Sequence, residues 1–371
     1  MARCRPGSRA HRDGVPETAE ISRPHACRIR GIIKRHTRKT FSNLLLAICA
    51  CTLIQPAAAA ATTWNLGPGA SIQSTLDAAV SGDVVMVAAG IYDENIDFSG
   101  KDLVVIGVGP ETVIRGTGNG PVVTFAAGET RDAILDSVTV RGGSATAGGG
   151  ILITDASPSI VRNFIVDNLA QGAGSGIFIG GVTAAPLIAN NLIVYNRTSL
   201  GDPHAIQTSG SSPLIVNNTV AANDSNGLFF ASGGQPVALN NIITRNGSRG
   251  TADTARRGRG ICNFTQNAVI RYNLFGRNAK AALLQGGRDF RMIRAAQRVF
   301  ESSILEGNVD GNAKFVRRRL PKRVEEVTAD DFDLRGNSRA IEAGDPDNIW
   351  NNLDGSRNTA GHSGGPYAAG P

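Results

Sequence analysis

Two columns of asparagine residues constrain the fold of this chain more than any other sequence feature. A segment occurs in five copies, and each copy carries two asparagines that are always five residues apart. The first column is Asn163, Asn191, Asn218, Asn241 and Asn273, and the second is Asn168, Asn196, Asn223, Asn246 and Asn278. Successive copies are 28, 27, 23 and 32 residues apart. Insertions therefore fall between the repeated segments, as loops do on a solenoid.

The composition of the repeated segment predicts short strands. Apolar or β-branched runs alternate with Gly, Asn, Ser and Pro, and no helical periodicity passes through them. If the coils pair as strands, equivalent residues stack at about 4.8 Å and each column becomes a ladder. Asparagine suits a ladder because its amide both donates and accepts, and because its backbone tolerates left-handed turns. A propeller blade or a leucine-rich repeat would need a different period and composition.

The front of the chain carries a second signal, in the sequence G-D-V-V-M-V-A-A-G-I-Y-D-E over residues 82–94. It resembles the pattern "G-D-x-V-x-V-x-x-G-x-Y-x-E" of the first coil in the pectate-lyase-like superfamily. An amphipathic segment, residues 71–80, precedes it and predicts a capping helix. The resemblance implies an all-β fold, a single-stranded right-handed parallel β-helix. We expect roughly ten coils, an N-terminal capping helix and an irregular C-terminal cap.

The first 60 residues are predicted to be a leader with a secretory signal. A basic flank precedes an apolar stretch at residues 44–54, and an alanine run follows it. The apolar stretch is too short to span a membrane. We expect export to the periplasm, the cell surface or the medium, with no membrane span after cleavage. Of the five cysteines only Cys262 lies beyond the leader, so no internal disulfide is expected.

Residues 61–371 are predicted to form one β-helix domain. Its clear repeats occupy residues 150–278. A helical insertion is expected at residues 288–302, where Phe290, Ile293, Val299 and Phe300 can share one face. The irregular cap is expected at residues 324–371.

The charge of the chain excludes a general nucleic-acid binder. The whole chain has 38 Lys and Arg against 31 Asp and Glu, but the leader alone accounts for an excess of eight positive charges. Within the domain, residues 251–323 carry 16 basic and 5 acidic residues. Candidate substrate-binding residues are the arginines of one loop, namely Arg249, Arg256, Arg257 and Arg259. They would neutralise the carboxylates of a polyuronate or pair with acidic neighbours in the chain.

His204 is the main departure from the repeat, because it stands where other coils open with glycine. The segment Asp202-Pro203-His204 resembles the "D-P-H-[DE]" motif of mannuronan C5-epimerases. Ala205 replaces the acidic residue, and Tyr195 is a distant substitute for the tyrosine of that family. The resemblance implies that His204 moves a proton, that Asp202 orients it and that Tyr195 assists. Alternatively, Asp202 and Pro203 form an ordinary loop with His204 exposed beside it.

The predicted function is the binding or processing of an acidic polysaccharide. Segments that mark polygalacturonase-like hydrolases and pectin methylesterases are missing from the repeats, and paired catalytic carboxylates are missing too. If the protein is an enzyme, β-elimination or C5-epimerisation fits best, but the sequence leaves open whether it is one. The alternative is a non-catalytic surface or structural protein whose loops bind a glycan or a protein.

No cofactor or metal site is evident in the sequence, and calcium is the one candidate ion. Hard oxygen ligands cluster at Asp345, Asp347, Asn352 and Asp354, but their spacing differs from that of an EF-hand loop. Turn formation is the preferred interpretation of these four residues.

Overall fold

The computed structural model describes residues 60–199, 204–247, 258–300 and 302–368, and these form a parallel β-solenoid. The predicted leader lies outside the described residues except for Ala60. Among the described residues, eight coils supply one strand to each of three sheets, slightly fewer than the roughly ten expected. The fold is the right-handed parallel β-helix that the resemblance to the pectate-lyase-like superfamily implies.

The three long sheets run the length of the solenoid, and a short fourth sheet lies beside them. Sheet 1 consists of Thr63–Leu66, Val84–Val87, Val104–Gly107, Ile134–Asp136, Ser159–Val161, Leu187–Ala189, Leu214–Val216, Val237–Leu239 and Val269–Arg271. Sheet 2 consists of Gly90–Asp93, Thr112–Arg115, Thr139–Arg141, Phe164–Val166, Leu192–Val194, Thr219–Ala221, Ile242–Thr244, Leu274–Gly276 and Val309–Asp310. Sheet 3 consists of Ile96–Asp97, Val123–Phe125, Ile151–Thr154, Ile177–Gly180, Ile206–Ser209, Leu228–Phe230, Arg259–Asn263, Ala281–Gln285 and Arg288–Phe290. Sheet 4 consists of Ser144–Ala147, Leu169–Ala173 and Arg197–Thr198.

The core is built from rows of aliphatic side chains that stack from coil to coil. In sheet 1, for example, Ile160 pairs with Ile188, which pairs with Ile215, and all three are fully buried. Parallel strands in register repeat such a row in every sheet, so apolar area is buried along the whole length of the solenoid.

The asparagine columns form buried hydrogen-bond ladders at two turns of every repeat coil. The first column lies between sheets 1 and 2, and the second follows sheet 2. At Asn218 the side-chain amide nitrogen donates to the Oδ1 atom of Asn241 at 3.1 Å and to the carbonyl of Ile188 at 2.8 Å. Its own Oδ1 accepts from the backbone nitrogen of Asn191 at 2.9 Å. Each ladder therefore satisfies turn groups that would otherwise be buried without partners.

A short capping helix, Ile72–Ala78, opens the solenoid, as the sequence predicts. Ser71 is its N-cap, and Ile72 and Leu76 are buried under it. The carboxylate of Glu94, the last residue of the front-end pattern, accepts hydrogen bonds from the backbone nitrogens of Ile72 at 2.7 Å and Gln73 at 3.0 Å. This carboxylate ties the helix to the first coil and suits the positive end of its dipole.

The predicted helical insertion is only partly helical. Gly286 and Gly287 have positive φ, so the chain turns back and Arg288–Phe290 pairs antiparallel with Ala281–Gln285. Helices follow at Ile293–Gln297 and Ser302–Leu305. Of the predicted apolar face, Phe290 and Ile293 are buried but Val299 is exposed. The predicted helical insertion is therefore helical in these two segments, which pack against the last coil.

The C-terminal segment runs back along the side of the solenoid, and we call residues 312–368 the C-terminal strap. Its regular elements are the 3-10 turns Val324–Glu326, Ala329–Phe332 and Asn348–Trp350, so it is irregular as predicted. It reaches Asn240, Asn217, Asn190 and Arg162, which lie on successive coils in reverse order along the strap. The strap therefore covers one side of the solenoid.

Each of these three asparagines stands immediately before an inward ladder asparagine and has positive φ. The two asparagines in each of the doublets 190–191, 217–218 and 240–241 therefore have different roles. The second asparagine of each doublet extends the inner ladder, and the first holds the strap.

His362 of the strap should make the free energy of unfolding depend on pH. The ring nitrogen Nδ1 of His362 is hydrogen bonded to Thr219 Oγ1 at 3.0 Å, and burial lowers the pKa of His362 from its ordinary 6.5 to about 4. Because the folded state disfavours the protonated ring, this contribution is present above pH 6.5 and is lost as the pH falls from 6.5 towards 4. The loss is at most about 3 kcal/mol. We expect the free energy of unfolding of His362→Gln, measured in urea between pH 7 and 4, to fall less than that of the unsubstituted protein. Parallel pH profiles for the two proteins would contradict it.

No helix among the described residues is long and apolar enough to cross a membrane.

Candidate carbohydrate-binding face

Several connections between sheets 2 and 3 in the middle coils are long enough to contain additional strands. Three of them contain the strands of sheet 4, which pair parallel to each other. The backbone nitrogen of Gly174, at the end of this loop segment, donates to Oε1 of Gln207 on sheet 3 at 3.3 Å. Sheet 4 therefore forms a wall beside the outer face of sheet 3.

The outer face of sheet 3 carries a row of apolar and aromatic side chains. The register aligns the outward residues of six successive strands, which are Leu152, Phe178, Gln207, Phe229, Cys262 and Leu284. Cys262 is buried, whereas the other five are partly exposed. Residues on either side of Phe229, namely Leu228 and Phe230, point inward and are fully buried.

Three phenylalanines of this face, Phe178, Phe229 and Phe264, form what we call the aromatic platform. The ring centroids of Phe229 and Phe264 are 5.3 Å apart, and Phe264 is 53% exposed. A Cβ atom at Gly180 would lie 2.8 Å from Cε1 of Phe178, so glycine there makes room for the ring. The platform was not among the sites predicted from the sequence. It could have been found from Phe178 and Phe229, because alternation along a strand places each of them on the face opposite to its buried neighbours.

His204 packs against Phe229, one of the three rings of the platform. Its ring is stacked on Phe229, with centroids 4.3 Å apart and planes inclined by 9°, and only 3% of the residue is exposed. The side-chain amide of Asn226 donates to Nδ1 of His204 at 3.1 Å. Both sequence interpretations placed His204 in an open loop or groove, and the structure differs because the ring folds onto the aromatic side chain of the next coil.

The alignment of His204 with the glycines of other coils also needs correction. Ile206 pairs with Ile177 of the preceding coil, so Ala205 is the counterpart of Gly176 and His204 is the counterpart of Ser175. The glycine position accepts only a small side chain, since a Cβ atom at Gly176 would lie 2.8 Å from the carbonyl oxygen of Ala205.

Arg259 lies on the same row as His204, two coils further on. Asn226 stands between them, and its Oδ1 accepts from the backbone nitrogen of Arg259 at 2.8 Å. The guanidinium group donates to both carboxylate oxygens of Asp289, at 2.5 and 3.0 Å, and this hydrogen bonding lowers the pKa of Asp289. Lys280 approaches the same carboxylate at 3.1 Å. Arg259 therefore pairs with an acidic neighbour, one of the two outcomes that the sequence left open.

Among the described residues, Tyr195 is the remaining predicted site residue, and the structure does not bring it together with His204. Tyr195 is buried at the turn after sheet 2, where its hydroxyl donates to the carbonyl of Pro321 at 2.8 Å and its ring packs edge-to-face on Phe332. It holds the strap because the residue before each second-column asparagine points outward. Four predicted residues lie outside the described ranges, namely Asp202, Arg249, Arg256 and Arg257.

The four calcium candidates make hydrogen bonds of the kind found in turns. The Oδ1 atom of Asp354 accepts from the backbone nitrogen and hydroxyl of Ser356, which lowers the pKa of Asp354. Asp345 and Asp347 each accept from a backbone nitrogen two residues further along the chain. Asn352 bridges the two ends of its loop through both side-chain atoms.

The coil topology and the laddered turns define this chain as a parallel β-helix protein of the pectate-lyase-like type. Residues 76–308 match the model of a family described as "Periplasmic copper-binding protein (NosD)", and the chain belongs to this NosD family. No match to the sequence was found among curated proteins.

Two solved structures resemble the fold. Pectate lyase Pel9A is 15% identical, with 81% of this chain and 96% of that chain covered and a TM-score of 0.49. The PL6 family polysaccharide lyase Pedsa3628 from Pseudopedobacter saltans is 13% identical, with 67% and 92% covered and a TM-score of 0.22.

The copper named in the family description can be tested against the described side chains. Within the described ranges, no three His, Cys, Asp or Glu residues cluster in a way that could hold a metal ion. The ring of His204 is stacked and accepts from Asn226, and Nδ1 of His362 is hydrogen bonded to Thr219. The described residues therefore do not fit a copper centre.

Proposed function

We propose that this protein is exported and binds an acidic polysaccharide along the outer face of sheet 3, without a chemical step. The observation that carries the proposal is the aromatic platform, a partly exposed row of rings with the wall of sheet 4 beside it. Exposed apolar surface bordered by polar groups is typical of binding grooves in soluble proteins.

The geometry of the platform suits a chain of sugar rings. Phe178 and Phe229 are two strands apart on one row, which corresponds to about 10 Å. Sugar rings present apolar C–H faces that pack on aromatic rings, while their hydroxyl groups reach polar atoms at the edge. Gln207 lies between the two phenylalanines and offers such a polar group.

The acidic character of the proposed ligand follows from the arginine-rich loop. In the sequence, Arg249, Arg256 and Arg257 occur between Gly247 and Gly258, and Gly258 directly precedes the sheet 3 strand Arg259–Asn263. Planar guanidinium groups pair with carboxylates in a bidentate manner. Arg259 is excluded from this role because Asp289 already occupies its guanidinium group.

Binding is favoured over proton transfer by the environment of His204. A general base must reach the substrate proton at about 2.6–3.2 Å or through one water. His204 is only 3% exposed, its ring is stacked on Phe229, and Nδ1 accepts from Asn226. Export is supported by the leader pattern and by the word periplasmic in the family description.

We expect Phe264→Ala to weaken binding of alginate or polygalacturonate about tenfold, because truncating an aromatic residue central to an interface costs more than about 1 kcal/mol. Affinity would be measured by isothermal titration calorimetry, with Phe229→Leu as a second variant of the platform. Ile349→Ala, an exposed apolar residue of the strap, is the matched control and should bind normally. If all three variants bound with the affinity of the unsubstituted protein, the platform would be excluded as the binding surface.

Incubation of the protein with alginate or polygalacturonate distinguishes binding from catalysis. Absorbance from unsaturated ends and proton NMR of uronate composition should stay constant over time. If either changes, and the change disappears in His204→Ala, the protein is a lyase or an epimerase and the proposal of simple binding is wrong.

A further inference from the structure

A second concave site lies where the C-terminal strap crosses the last coils of the solenoid. Two of its residues, Arg245 and Arg277, occupy equivalent positions on successive coils, each immediately before a second-column asparagine. Both have positive φ, 59° and 54°, which turns their side chains away from the ladder that continues inside. The backbone nitrogen of Arg245 donates to the carbonyl of Gly276 at 3.0 Å, so the two arginines lie side by side.

The strap completes the pocket, which encloses about 340 Å³. The described residues that line it are Arg245, Arg277, Asn312, Lys314, Phe315, Arg318, Arg335 and Asn337. Five of them are cations, and none of these described lining residues is acidic. The guanidinium carbon of Arg245 lies 5.6 Å from the ring centroid of Phe315, and Arg335 is fixed by a hydrogen bond to the carbonyl of Val316 at 2.5 Å.

Several arginines elsewhere in the chain pair with a carboxylate, which the cations of this pocket lack among the described lining residues. Arg317, the neighbour of Arg318, contacts the carboxylate of Asp331 at 3.1 Å, and Arg259 pairs with Asp289. Within the described ranges, no ion pair includes Arg277, Lys314 or Arg318. Burial and the positive charge of Arg277 lower the pKa of Arg245. Converging cations in a partly desolvated pocket repel one another, and a bound anion would relieve that repulsion.

We propose that this pocket binds a doubly charged oxyanion, a phosphate or sulfate group carried by a small molecule or by a glycan. Arginine forks recognise tetrahedral oxyanions through paired N–H donors, and the amides of Asn312 and Asn337 offer further donors. A single uronate carboxylate would neutralise only one of the five cations. The site is separate from the aromatic platform and goes beyond the proposed polysaccharide binding.

The test uses the full-length exported protein and inorganic phosphate, with sodium chloride at equal ionic strength as the reference. Phosphate should bind saturably in calorimetry and raise the midpoint of thermal unfolding. We expect Arg277→Met and Arg318→Met each to weaken phosphate binding at least tenfold. Arg319→Met, which removes the same charge from the adjacent residue outside the pocket lining, should retain affinity within twofold.

The competing ligands identify the chemistry. Displacement of phosphate by sulfate but not by glucuronate would support the doubly charged oxyanion, whereas equally effective glucuronate would overturn it. Binding that is unchanged in Arg277→Met and Arg318→Met, or that is matched by sodium chloride, would also overturn the proposal. Phe264→Ala should leave phosphate binding intact. The proposal of an oxyanion pocket can therefore fail independently of the proposal that the platform binds a polysaccharide.

Discussion

Asn218→Ala is expected to destabilise the solenoid by roughly 3–5 kcal/mol, the largest effect that we predict for a single side chain. Asn218 is fully buried, and its side chain makes hydrogen bonds on both sides of its coil. Its Oδ1 accepts from Asn191, and its amide nitrogen donates to Ile188 and Asn241. Alanine would leave the backbone nitrogen of Asn191 and the carbonyl of Ile188 buried without these partners, at about 1–3 kcal/mol for each group.

Urea denaturation followed by circular dichroism measures this loss. Asn267→Ala is the control, because Asn267 is exposed in a turn and its replacement should change stability by less than about 0.5 kcal/mol. A loss below about 1 kcal/mol for Asn218→Ala would mean that water replaces the ladder in the variant. Total stabilities of domains are about 5–15 kcal/mol, so the expected loss should also lower the yield of folded protein.

The asparagine columns were predictable from sequence because a ladder turn needs one residue type at one position in every coil. A buried turn demands both a donor and an acceptor, which few side chains provide. The coil count was overestimated because insertions of variable length dilute the period. The helical insertion predicted at residues 288–302 begins with a strand because Gly286-Gly287 turns the chain back into an antiparallel pairing, and its first helix begins at Ile293.

The surroundings of the candidate site were harder to predict. Phe178, Phe229 and Phe264 are far apart in sequence and become neighbours only through the register of coils with unequal loops. His204 was expected in an exposed position, but Phe229 of the following coil covers its ring. The pairing of Arg259 with Asp289 likewise depends on the hairpin that returns along the last coil. Such contacts depend on tertiary register, which local patterns do not encode.

The first asparagine of each doublet has a different role from the second, and Asn217 shows this most clearly. Its side-chain nitrogen donates to Asn358 Oδ1 at 3.0 Å and to the carbonyl of Thr359 at 2.9 Å, while its own Oδ1 accepts from Asn358 at 3.2 Å. The positive φ of 54° suits glycine, so Asn217→Gly removes these bonds without straining the backbone.

Asn217→Gly should therefore release the strap locally while the coils stay folded. Two or three lost hydrogen bonds correspond to about 1–3 kcal/mol of local opening, which raises the open population roughly 5- to 150-fold. Trypsin cleavage at Arg357, followed by mass spectrometry, should accelerate by a similar factor because cleavage tracks the open population. The urea midpoint should change far less than in Asn218→Ala, and Asn267→Gly serves as the control. If Asn217→Gly instead unfolded the whole protein, or left cleavage at Arg357 unchanged, the strap would not be an independently opening segment held by the outer asparagines.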